Sequence, residues 1–147
     1  MTVAQQIAAI KKSAEKMDAA KTEKIQTASA GDVVRQGDIY FVCLESPQTG
    51  QQLKSRQLAP GTTQGSRHVA EGDCRIVNAN RATIASTVNR LIKGAEVPEQ
   101  LIGPVVECHG ETTITHPEHG HRILTAGSVW ASVYQRAHAE EVRRVQD

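Results

Sequence analysis

The segment THPEHGHRILTAG, residues 115–127, sets three histidines and a glutamate around a proline and a glycine. Imidazoles and carboxylates are the side chains that bind transition metals or move protons near neutral pH. Four of the six histidines fall between positions 109 and 121. If His116 and His121 flank a turn closed by Pro117 and Gly120, they become cross-strand neighbours, with His119 at the tip. His68 follows a separate glycine turn and is the fourth candidate. Such a set can hold one transition metal ion, Zn2+, Fe2+ or Mn2+, with positions left open for a small substrate.

The spacing argues against chemistry. HxxH alone specifies little, and Pro117 breaks the helix that an HExxH site needs. A cupin-like site asks for HxH followed by a carboxylate, and here only His68 stands, with Glu71 after it. The first reading is therefore a polar turn, with no cofactor, whose histidines hydrogen-bond at a subunit contact and give it pH sensitivity. The alternative is a metal site built from His68, His116, His119 and His121, with Glu118 as a further donor. Cys108 and His109 are neighbours on a strand, so they point to opposite faces and cannot pair. No GxSxG, P-loop or GxGxxG is present. The expectation is a protein that is not an enzyme.

The elements that must position these side chains divide the chain in two. Residues 1–30 carry no proline and no glycine and place Val3, Ile7, Ile10, Ala14 and Met17 in steps of four and three. That is a short heptad-like seam, too weak to stand alone in water as a helix. It predicts an α-helical arm over 1–30 whose seam binds a partner, either its own domain or another subunit. TASAGD, 27–32, reads as a linker. From Gly31 the texture turns to β. GDIYFVCL, 37–44, suits a buried strand. CRIVNA, 74–79, and ATIASTV, 82–88, read as short strands, the second with a helical alternative running on into NRLIKG. LIGPVVECH, 101–109, is a strand whose Pro104 asks for an edge or a bulge. ETTITH, HRILTA and SVWASVYQR follow as strands. About seven short strands with regular turn signals predict a mainly β domain over 31–147, a jelly roll or a β-sandwich or barrel.

Composition narrows the partners. Net charge is +1 and aromatic residues make up 3 %, so neither an electrostatic footprint for nucleic acid nor a base-stacking platform is expected. No apolar run is long enough to span a membrane, and the N-terminus lacks signal-peptide character. Cys43, Cys74 and Cys108 show no paired spacing and read as buried reduced thiols in a reducing compartment.

RQGDIY (35–40), LAPGTTQGSRH (58–68) and EHGHRILTAGSVWASVYQR (118–136) lie in the order of a wider pattern. The chain resembles a group of small uncharacterised bacterial and phage proteins with the blocks RQGD, EGxxTGHxH, HxEHG and LPAGxYxVxxQR. Gly37, Asp38, Gly65, His68, His116, Glu118, His119, Gly127, Gln135 and Arg136 fall on its positions. The chain departs from it where Ser66 replaces the first histidine of TGHxH, Gln64 the threonine and Thr125 the proline of LPAG. Half of any HxH metal dyad is thereby missing while the frame of turns is kept. The resemblance implies a structural β scaffold from a phage setting, in the virion or the host cytoplasm. In concrete form this is a homo-oligomeric capsid cement or decoration protein that stabilises a larger assembly, such as one built of major capsid protein. The alternative is a cupin-like metal-binding protein or metal-dependent enzyme.

Overall fold

A computed structural model describes residues 22–135. Eight strands share one sheet: β1 (Glu23–Lys24), β2 (Val33–Gln36), β3 (Ile39–Cys43), β4 (Gly50–Gln52), β5 (Val69–Ala79), β6 (Ile102–Thr115), β7 (Arg122–Leu124) and β8 (Val129–Tyr134). Among the described residues one α-helix, α1 (Arg81–Leu91), crosses between β5 and β6.

The long strand β6 organises the sheet. One of its edges pairs with β5, which carries β4 on its far side. The other edge is shared: β8 takes the first half, from Ile102 to Glu107, and β7 takes Thr112 to Ile114. Two limbs grow from these partners, β8–β3–β2 and β7–β1. The sheet curls into a half-barrel that brings the limbs back together. Arg122 of β7 donates from Nε to the Arg35 carbonyl of β2 at 2.9 Å. Gln36 of β2 donates from Nε2 to the Ile114 carbonyl of β6, also at 2.9 Å.

Period-two alternation assigns side chains to the two faces. Ile39, Phe41 and Cys43 of β3 join Trp130 of β8 and Val106 and Cys108 of β6 in the inner core. Val42 and Leu44 join Val129, Ala131 and Val133 on the outer face, under α1. Both faces are therefore covered, which explains the uninterrupted apolar run of β3. Trp130 and Phe41 are fully buried, each burial contributing roughly 1.5–3 kcal/mol.

Three expectations need correction. Residues 82–88 are helical, the alternative reading, rather than a strand. Asn80 caps the helix by accepting the Thr83 N–H at 3.0 Å, and Ile84, Ala85 and Val88 share the buried stripe. Within the stretch assigned to a helical arm, residues 22–30 carry no helix; Glu23–Lys24 pairs in parallel with β7 instead. The seam itself, Val3, Ile7, Ile10, Ala14 and Met17, lies outside the described residues. A sandwich of two sheets is not what forms, because the eight strands make one curled sheet. Pro104 does sit at a register shift between Ile102 and Val105, so the strand absorbs a residue without an N–H inside the sheet rather than at its edge.

Candidate functional site

Where the two limbs meet, three turns converge. Continuing the β5–β6 register past Val69↔Thr115 sets His68 opposite His116. Their ring centroids are 4.4 Å apart, and His119 lies 4.6 Å beyond His116. The third turn is the β2–β3 hairpin, in which Gln36 pairs with Ile39 across the two-residue loop Gly37–Asp38. Gly37 has φ +59 and Asp38 is not left-handed, the pattern of a type II′ turn with glycine first. The His119 ring lies on Gly37 so closely that a Cβ there would fall 2.5 Å from His119 Cδ2.

The hydrogen bonds assign the protons. His116 Nδ1 accepts the backbone N–H groups of Glu118 and His119 at 3.0 and 3.1 Å, so it carries no hydrogen. Its Nε2 then donates to the Gly65 carbonyl at 3.2 Å. His116 thereby ties the loop after β6 to the turn before β5. Its own N–H donates to His121 Nδ1 at 3.4 Å, and His121 otherwise sits exposed on the loop.

Gln36 fixes the proton on His68. Its amide donates to the Ile114 and Gly120 carbonyls, so Oε1 faces His68 Nδ1 at 2.9 Å and that nitrogen must be the donor. Nε2 of the same ring lies 3.0 Å from Asp38 Oδ1. Two demands oppose each other here. An imidazolium would donate at both nitrogens, yet the ring is fully buried. Desolvation is the larger effect and holds His68 down from 6.5 to about 4, against the raising pull of the Asp38 hydrogen bond. In the neutral ring Nε2 carries no hydrogen, so its contact with Asp38, whose side chain stays 37 % exposed, becomes a hydrogen bond only when the ring takes up a second proton. Burial, followed by the neighbouring His116, also lowers His119.

The structure thus gathers His68, His116 and His119 and leaves His121 at the margin. Proximity is not convergence: the rings pack at tilts of 46° and 37°, and the nitrogens of His68 and His116 face protein atoms. Among the described residues no three histidine, cysteine or acidic side chains are arranged to hold a metal. The arrangement acts as a polar clamp on three turns. Sequence reasoning missed Gln36 as a member. The signal was its two-residue spacing from buried Val34, which places a polar amide on the core face. Cys108 is buried and His109 exposed beside Glu107, on opposite faces as their adjacency requires. No helix among the described residues is long and apolar enough to cross a membrane. Compared with protein-family models, curated proteins and solved structures, the chain matches none.

Proposed function

We propose that this chain is a non-catalytic structural protein, a self-associating component of a larger assembly, of the capsid cement or decoration kind that its resemblance to phage-associated proteins implies. The observation that carries the reading is His116. Its Nδ1 accepts two backbone N–H groups and its Nε2 contacts a carbonyl, so the most buried histidine of the loop serves the scaffold. A domain locked in this way presents fixed edges to neighbours. Val33, 49 % exposed on edge strand β2, is the one large apolar side chain given to solvent among the described residues. The seam Val3, Ile7, Ile10, Ala14 and Met17 supplies the apolar stripe for a partner groove.

The test is light scattering with elemental analysis, before and after chelator, on the wild type and on Ile7→Asp/Ile10→Asp. A metal-free oligomer unchanged by chelator, and broken by the double substitution, supports the reading. A wild-type monomer, or an oligomer indifferent to the substitutions, counts against it.

A second reading, a metal-binding protein using His68, His116 and His119, is favoured by the ring separations of 4.4 and 4.6 Å. It requires His116 to release the loop N–H groups and turn a nitrogen toward its neighbours. One equivalent of a transition metal per chain, lost to chelator, would support it.

A further inference from the structure

A second cluster lies inside the half-barrel, away from the histidines. Cys43, Cys74 and Cys108 all pack in the inner core, and Cys74 is directly opposite Cys108 in the β5–β6 register. The backbone groups of Cys108 turn to the other side: its N–H donates to the Ser128 carbonyl at 2.9 Å, and its carbonyl accepts from Gly127 N–H at 2.8 Å. Cys74 and Cys108 therefore form a non-hydrogen-bonded antiparallel pair. Such pairs hold their Cα atoms about 4.5 Å apart with side chains on one face. That separation lies within the roughly 4.4–6.8 Å window of disulfides.

The two thiols are not equivalent. Cys74 is half-buried and receives a hydrogen bond from exposed Arg56, whose Nη1 lies 2.9 Å from Sγ. The same Nη1 reaches the Gly72 carbonyl at 3.2 Å, which holds the guanidinium at the sulfur. Cys108 is buried, and desolvation raises its thiol above the ordinary value despite the Thr112 and Ser128 hydroxyls. An oxidant arriving from solvent meets Cys74 first, where a cation faces the sulfur that must develop negative charge to attack.

We propose that Cys74 is an oxidation site for hydrogen peroxide, with Cys108 as its resolving partner in an intrachain disulfide. The Cys74 sulfur attacks one peroxide oxygen. An S–O bond forms, the O–O bond breaks, and the leaving hydroxide takes the thiol proton as water. The Cys108 sulfur then attacks the sulfenic sulfur. An S–S bond forms, the S–O bond breaks, and hydroxide leaves with the Cys108 proton as a second water. Two electrons pass from the paired thiols to peroxide.

The experiment treats the native full-length chain with hydrogen peroxide and maps its peptides by mass spectrometry without reduction. The expected product links Cys74 to Cys108 and leaves Cys43 reduced. In Cys108→Ala, dimedone should trap a sulfenic acid at Cys74. Arg56→Gln, which removes the cation at the Cys74 sulfur, should slow the loss of the Cys74 thiol. A link through Cys43, a link between chains, or two reduced thiols while added glutathione in the same tube is consumed would overturn the proposal. If Cys108→Ala does not fold, the wild-type map decides alone.

Discussion

Acidification should weaken the fold through His68, and the size of the effect follows from its burial. The ring is fully buried and held down from 6.5 to about 4. Between those values the unfolded chain binds a proton that the folded chain refuses, so stability falls as pH falls. The contribution is fully present above pH 6.5, declines through the window and levels off below pH 4. It corresponds to a loss of about 2 kcal/mol by pH 5 and about 3 kcal/mol by pH 4. His119, lowered in the same direction, adds to the trend. Urea unfolding followed through Trp130, the single tryptophan and fully buried, gives the stability at each pH. His68→Gln, which cannot titrate, should flatten the curve over the window. Parallel wild-type and variant curves would refute the burial argument. A wild-type curve that rises on acidification would show instead that the Gln36 and Asp38 contacts, each asking for an N–H, outweigh desolvation.

Three substitutions probe the clamp and the core. Gly37→Ala puts a Cβ at positive φ and 2.5 Å from the His119 ring; it should cost about 1–3 kcal/mol in urea unfolding and shift the His119 side-chain resonances. His116→Ala leaves the Glu118 and His119 N–H groups without their acceptor; a loss of about 2–5 kcal/mol is expected, with faster hydrogen exchange confined to that loop. Ile84→Ala removes a fully buried contact between α1 and the outer face, and its urea midpoint should report about 2–5 kcal/mol.

The β character was legible because strands announce themselves by texture. The run IYFVC is apolar on both parities, and β3 is covered on both faces. Pro104 marked a bulge for a chemical reason, its missing N–H. The helix at 81–91 was harder, since β-branched Thr83, Ile84, Thr87 and Val88 suit a strand locally. The Asn80 cap and the i, i+4 spacing of Ile84 and Val88 decided otherwise. The single curled sheet was not legible, because strand order depends on which limbs share an edge of β6, and no local pattern encodes that. The histidine cluster was half legible. Types and density marked His116 and His119, and His68 stood among the candidates, but its approach to them depends on the β5–β6 register. The part played by Gln36 depends on the curl that brings β2 to the end of β6.

The claim that the histidines form a structural clamp rests on where their protons sit. The direct measurement is 15N spectroscopy of labelled histidine side chains at neutral pH, repeated with added Zn2+. His116 should show an unprotonated Nδ1 and a protonated Nε2, His68 a protonated Nδ1, and Zn2+ should leave all of them unmoved. Zn2+-induced shifts at His68, His116 and His119 together would contradict the clamp and make the cluster a metal centre.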